Sequence, residues 1–395
     1  MPLIPARASA HRRPLAELAY SLACALGLSA CAASAPAEVH APDAAPTVLE
    51  EVRITKTDPA ALPGMFRDAS DRLLRGENEA AAKELDQIVS VDPTGPTAAP
   101  SLFNAGVAYT AMGELVTAAD RYRKSAELDP SAPTAKTAWI RTSRLDAYLE
   151  RWDDLLLVSE KVAQRPDLSA LERIEAMGAK GLALVFLQRN DEAYDVLVKA
   201  RNEIEDKKLG ISGPPPLELA EVSFAMGEVK RIRSEKIVFV PVPADFGATL
   251  EERCTGLLDA QSAYTDAMRS MDAHWSAMAG YRVGQLYQRL HEDVMRAPPP
   301  PNATSVRQQQ LWEGAMRMRY RVLLEKGLAM MKGTVELGER TGEASPWISR
   351  AKEAKKELEL ALEAEKSALA KLPFSESEIQ TALDDLKKKK AATKP

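Results

Sequence analysis

Apolar and small residues recur along the first half of the chain with a period of about 37 residues. The anchor positions of this pattern are Ala81, Ala118, Leu155 and Ala193, spaced 37, 37 and 38 residues apart. The positions four and seven residues after each anchor are again mostly apolar or small, which predicts one buried helix face. These positions are Leu85, Tyr122, Ser159 and Leu197, then Ile88, Ser125, Val162 and Ala200.

A second helix is predicted before each of these faces. Twelve residues before the anchors stand residues with short side chains, namely Ala69, Gly106, Ser143 and Gly181. Two helices can cross closely where a side chain is this small. Each period therefore predicts one pair of packed helices.

The second pair carries a longer motif. It reads Asn104-Ala105-Gly106-Val107-Ala108-Tyr109, then Met112-Gly113-Glu114, and it ends at Leu128-Asp129-Pro130. The motif resembles the tetratricopeptide repeat (TPR). Gly113 stands at the turn between the two helices, and Pro130 stops the second helix.

The other pairs match the motif to different degrees. Gly76 and Pro93 occupy the corresponding turn and stop positions of the first pair, and Glu150 replaces the turn glycine of the third. The fourth pair is recognisable through Gly181 and Ala193. The resemblance implies an all-α fold, a right-handed α-solenoid of TPR helix hairpins, followed by long C-terminal helices.

Beyond about residue 208 the register is lost, but helical patterns continue. The predicted organisation is a signal peptide at 1–30, a lipidated cysteine and Ala/Pro-rich tether at 31–61, TPR-like repeats at 62–208, degenerate helical repeats at 209–300, long C-terminal helices at 301–373, and a short helix with a basic disordered tail at 374–395. Ser375 and Glu378 are spaced for a capping box at the start of the last helix.

The N-terminus has the features of a secretory signal. Arginines precede an apolar run from Leu18 to Leu28, and small residues follow it. Leu28-Ser29-Ala30-Cys31 resembles a bacterial lipobox, which implies that Cys31 becomes the lipid-bearing N-terminus. Ala32, where the family rule for inner-membrane retention requires Asp, implies the periplasmic face of the outer membrane. The alternative is an ordinary cleaved signal with an incidental cysteine.

Composition narrows the class of protein. Hydrophobic residues make up 45% of the chain, charged residues 28% and aromatic residues only 5%, which favours helices. A net charge of −5 gives no basic footprint for nucleic acid. Three cysteines and four histidines lack metal-ligand spacing, and no Gly-rich phosphate loop or nucleophile elbow occurs. We therefore predict a non-enzyme without a metal or cofactor.

The resemblance implies a concave groove lined by the first helix of each pair. By register its lining residues are Phe66, Ser70, Leu73, Phe103, Val107, Thr110, Gly178, Leu182 and Val185. The family's basic clamp for a C-terminal carboxylate would need Lys, Arg or Asn where Phe103 and Val107 stand, so this groove should favour apolar side chains. Alternatively, Phe103 and Val107 pack against a neighbouring helix of the same protein.

Two functions fit these features. The first is an adaptor or scaffold in a cell-envelope complex, with motility or adhesion as its process and envelope proteins or peptides as its partners. The segment from Trp275 to Ala351 resembles the C-terminal halves of envelope repeat proteins of myxobacteria, including lipoproteins of their gliding machinery. The second is an assembly factor that holds outer-membrane or secretin clients. An enzyme using the C-terminal region would need converging titratable groups that the sequence does not show.

Overall fold

The computed structural model describes residues 58–211, 215–301 and 303–381. Within these ranges the chain forms thirteen complete α-helices after a short 3-10 turn, then the start of a further helix at 376–381, and it forms no strand, so the all-α prediction is confirmed. The predicted lipidation site Cys31, nearly all of the tether and the basic tail lie outside them. The helices are α1 (Leu62–Leu74), α2 (Asn78–Val91), α3 (Ala98–Ala111), α4 (Leu115–Leu128), α5 (Ala135–Tyr148), α6 (Trp152–Ala163), α7 (Ala170–Phe186), α8 (Asn190–Asp206), α9 (Glu218–Glu235), α10 (Phe246–Met268), α11 (Ala273–Met295), α12 (Val306–Thr341) and α13 (Pro346–Ala370).

Consecutive helices pack against one another as hairpins. The predicted anchors Ala81, Ala118, Leu155 and Ala193 are all fully buried, as are the apolar positions that follow them. A Cβ atom at Gly106 would lie 2.7 Å from the Tyr122 ring of the paired helix. The absence of a side chain at this crossing therefore allows α3 and α4 to approach, and the predicted helix pairs are confirmed.

The repeat is also visible in the backbone of the turns. Gly76, Gly113, Glu150 and Gln188 all have positive φ angles, of 78°, 79°, 58° and 61°. They follow one another at 37, 37 and 38 residues, and each ends the first helix of its pair. Glu150 thus adopts the conformation of the glycine that it replaces, although a side chain makes this conformation less favourable.

The hairpin arrangement continues where the sequence register is lost. A Cβ atom at Gly227 on α9 would lie 2.6 Å from the Tyr264 ring on α10, which repeats the crossing of the second pair. Helix α12 spans 36 residues, or about 54 Å at 1.5 Å per residue, and packs between α11 and α13. It starts with a capping box formed by Ser305 and Gln308.

The C-terminal helices return to the third pair. Arg350 at the start of α13 binds Glu150 in the turn between α5 and α6, with N–O distances of 2.6 and 2.8 Å. The Tyr148 hydroxyl donates to Glu343 at 3.3 Å, and its ring lies 4.3 Å from the His274 ring. These contacts therefore join the C-terminal helices to the third pair, about 200 residues earlier in the sequence.

Candidate binding site

An open groove lies between α3 and α5 and has a volume of 410 Å³. Its lining residues are Val107, Thr110, Ala111, Tyr122, Arg141, Arg144 and Leu145. The first helices of the second and third pairs supply most of its lining, and Tyr122 of α4, whose ring packs against Gly106, also lines it. Two of the residues predicted for a groove, Val107 and Thr110, are among those that line it.

Phe103 is held by groups of the protein itself. Its ring meets Tyr122 edge-on at a centroid distance of 5.5 Å, and the Arg141 guanidinium lies 5.2 Å from the ring centroid. Arg141 also donates to the Tyr122 hydroxyl at 2.9 Å. Phe103 and Val107 are half-buried against the same core cluster, but Val107 also lines the groove. Phe103 and Val107 thus both pack within the protein, and Val107 also lines the groove.

In the first pair the predicted groove residues contact the protein interior. Phe66 and Leu73 are half-buried against the core cluster that α1, α2 and α3 form. Ser70 donates to the Phe66 carbonyl at 2.7 Å and accepts from the Asn104 amide at 3.1 Å. Asn104 therefore bridges the first two pairs at the place where the groove was predicted to begin.

The prediction for the fourth pair is wrong. Leu182 and Val185 are only 0% and 3% exposed, because α9 packs across α7 and covers them. A Cβ atom at Gly178 would lie 2.9 Å from Val222 of α9. These three residues form a helix interface, so they cannot contact a partner.

Arg141, Arg144 and Leu145 were not predicted, although all three line the groove. A signal for Arg144 existed, because it stands 37 residues after Val107 in the repeat register. Arg144 forms two hydrogen bonds to Glu175 of α7, at 2.5 and 3.0 Å. Glu175 raises the pKa of Arg144 by hydrogen bonding and by its charge, and this pair joins the groove wall to the fourth pair.

Two other reactive groups of the described residues are buried or partly buried. Glu228 is buried between Arg231 and Arg282 and accepts from the Tyr264 hydroxyl. Burial raises the pKa of Cys254.

Within the same ranges, no three His, Cys, Asp or Glu side chains lie close enough together to bind a metal ion. None of the described helices combines the length and apolarity that a membrane crossing needs.

No protein-family model and no curated protein matches the sequence. Similar solved structures include a tetratricopeptide repeat protein from Parabacteroides merdae, with 13% identity and a TM-score of 0.39 over 76% of this chain and 99% of that chain. Pseudomonas aeruginosa PilF has 13% identity and a TM-score of 0.35 over 75% and 98% of the two chains. Yeast Tom70 has 9% identity and a TM-score of 0.26 over 85% and 97%.

The assignment of the repeat follows from the contacts within the chain. Buried anchors, small residues at the helix crossings and left-handed turns recur in one register through α1 to α8. Residues 62–206 therefore form four successive helix pairs that repeat the same contacts.

Proposed function

We propose that this protein is a non-catalytic adaptor that binds a protein segment in the groove between α3 and α5. The observation that carries this proposal is the open 410 Å³ groove walled by Val107 and Leu145 and crossed by Arg141. Helix-pair repeats provide such concave surfaces for extended or helical peptides. The segment bound here would place an apolar side chain beside Val107.

Arg141 gives the groove a means of holding a peptide backbone. Its guanidinium has five N–H groups, and one of them donates to the Tyr122 hydroxyl at 2.9 Å. Its position over the Phe103 and Tyr122 rings fixes the plane of the guanidinium. The remaining donors can bind carbonyl oxygens of the partner, so the groove combines apolar contact with polar alignment.

We further propose that the adaptor is a lipoprotein on the periplasmic face of the outer membrane, within an envelope complex of motility or adhesion. The support is the sequence of residues 1–61: the apolar run, Cys31 in its lipobox-like context, and a Pro-rich tether. The other segment boundaries predicted from the sequence, at 62–208, 209–300, 301–373 and 374–395, belong to the same proposal.

Affinity purification from detergent-solubilised membranes tests the groove and the anchor together. Wild-type chain is compared with Val107→Glu, Thr110→Trp and Cys31→Ala. Val116→Glu is the matched control, because Val116 is 56% exposed on α4 and does not line the groove. We expect stoichiometric envelope partners with wild type and Val116→Glu, and their loss with both groove variants while the helical circular dichroism is unchanged.

Three other results would contradict parts of the proposal. Partners that survive both groove variants would place binding elsewhere on the chain. Many clients in small amounts, without a fixed stoichiometry, would favour the assembly-factor alternative. The lipoprotein proposal fails if Cys31→Ala stays in the membrane fraction and its N-terminal peptide differs in mass from that of wild type only by the substitution itself.

A further inference from the structure

A second cavity of 170 Å³ lies next to the groove, among α5, α7, α9 and the start of α11. Four carboxylate residues line it, together with one arginine, one histidine and two aromatic residues: Glu175, Glu218, Glu221, Asp272, Arg144, His274, Tyr148 and Trp275. Its volume equals that of about six water molecules in the liquid. The cavity therefore has room for one side chain and not for a peptide strand.

Glu221 has no partner in this cavity. Its side chain is 5% exposed, and its Oε1 atom is buried without a hydrogen bond. A buried carboxyl oxygen without a donor is unfavourable, because its loss of hydration is not compensated. A hydrogen-bond donor that enters the cavity would supply the partner that this oxygen lacks.

Arg144, Glu175 and Asp272, which also line the cavity, already have partners within the protein. Arg144 is bound to Glu175 through both carboxylate oxygens, and Asp272 accepts the Trp275 amide at 3.0 Å as the cap of α11. Glu218 lies 3.8 Å from Arg144, which already serves Glu175. Glu218 and Glu221 thus retain oxygens that can accept from an additional donor, and Glu221, which keeps its proton in the folded chain, would release it when a cation enters.

The walls suit an organic cation with an apolar stem. Leu217, Ala147 and Trp275 provide apolar surface, and Tyr148 and Trp275 provide aromatic rings, whose faces attract ammonium and guanidinium groups. The described carboxylates are not grouped as metal ligands are. We propose that this cavity receives the charged end of a Lys or Arg side chain carried by the segment that occupies the adjacent groove.

Arg144 connects the two spaces, since it lines both of them. From Arg141 in the groove to Tyr148 in the cavity, α5 rises about 10 Å, at 1.5 Å per residue. An extended segment covers this distance in about three residues. The inference rests on the proposed function of the groove, and it adds a recognition rule: an apolar residue followed or preceded by a basic one about three positions away.

Selection from a displayed library of random 12-residue peptides tests this rule with the full-length chain as bait. Groove binders are the peptides that wild type retains and that both Val107→Glu and Thr110→Trp lose. We expect a Lys or Arg at a fixed distance of about three residues from an apolar residue. Replacing that Lys by norleucine, which keeps the stem and removes the charge, should weaken binding to wild type at least tenfold.

The variant Glu218→Gln/Glu221→Gln identifies the receiving site. It should bind the lysine peptide at least tenfold more weakly than wild type and the norleucine peptide equally well. Glu251→Gln is the matched control, because Glu251 is exposed on α10 away from the cavity, and it should behave as wild type.

Failure of the inference is distinguishable from failure of the groove. Groove-dependent peptides without a basic residue, or with equal affinity for the double variant, overturn the cavity assignment and leave the groove in place. Absence of any groove-dependent peptide overturns both. Spermidine is the free-amine probe: if it stabilises wild type against heat but not the double variant, and the lysine peptides show no preference, the cavity binds a soluble amine instead.

Discussion

The Arg350 guanidinium binds the Glu150 carboxylate through both of its oxygens, although the two residues are 200 positions apart. Glu150 occupies the left-handed turn between α5 and α6, and Arg350 lies 4.4 Å from the Trp347 ring centroid at the start of α13. The pair thus joins a repeat turn to the C-terminal helices. The Glu150 side chain thus forms a contact with α13 that a glycine at this turn could not form.

A double-mutant cycle measures this pair. Glu150→Gln, Arg350→Gln and the double variant should give a coupling free energy of about 1 kcal/mol in urea unfolding, because the pair is bidentate but about one third exposed. The cycle separates the ion pair from the stacking of Arg350 on Trp347. A coupling of zero would show that the contact with Trp347 alone holds α13 here.

Opposite substitutions at two turns should have opposite effects. Gly113→Ala places a side chain at a φ of 79° and should lower the free energy of unfolding by about 1 kcal/mol. Gln188→Gly relieves the same conformation at a φ of 61° and should raise it by about 0.5 kcal/mol. Urea unfolding of both variants checks the signs, and shifts in the same direction would contradict the argument from turn conformation.

The crossing at Gly106 should not tolerate even a methyl group. The new Cβ would lie 2.7 Å from a Tyr122 ring that Arg141 and Phe103 hold in place, so Gly106→Ala should destabilise the protein by about 1–3 kcal/mol. Gly333→Ala is the control, since a Cβ at this position of α12 meets nothing within 4 Å. It should stabilise by up to about 1 kcal/mol, as expected for alanine in a helix.

Glu221 should make stability depend on pH. Burial raises the pKa of its carboxyl group well above 4.5, and the nearby Glu175 adds to the effect while Arg144 opposes it. Above about pH 4.5 the unfolded chain releases a proton that the folded protein keeps, so the stability of the folded state falls as pH rises. Glu221→Gln removes this effect, and its advantage over wild type should grow from pH 4.5 to pH 8.

Thermal unfolding at several pH values measures this advantage. Glu251→Gln, at an exposed position, should show no such trend relative to wild type. If the difference between Glu221→Gln and wild type is constant across the range, Glu221 has the same proton affinity in the folded and unfolded chain.

The sequence predicted those parts of the fold that depend on local periodicity. Buried anchors such as Ala118, the crossing at Gly106 and the exceptional turn at Glu150 all follow from the 37-residue register, since every pair repeats the same contacts between neighbours. The groove positions Val107 and Thr110 follow from the same register. Prediction succeeds where each contact is formed within one pair or between successive pairs.

Contacts that lie outside the 37-residue register, which is lost beyond about residue 208, were not predictable in this way. Leu182 and Val185 have the periodicity of groove residues, but α9 covers them, and nothing in α7 itself specifies that packing. Arg350 and Glu150 are single charged residues among many, so their pairing depends on the path of the chain between them. The charges around Glu221 likewise come from four separate helices, and only the fold brings them together.

The ion pair between Glu150 and Arg350 also separates two parts of the protein that would respond differently to a pulling force. Helices α1 to α4 contact chiefly their sequence neighbours. The helices from α5 to α13 also contact their neighbours, but here the last helix returns to the turn after the first one. A pulling force applied at residue 58 would therefore peel the first two pairs away one at a time. It would meet greater resistance at α5, where the next step must separate helices far apart in sequence, and the groove would open before the core yields.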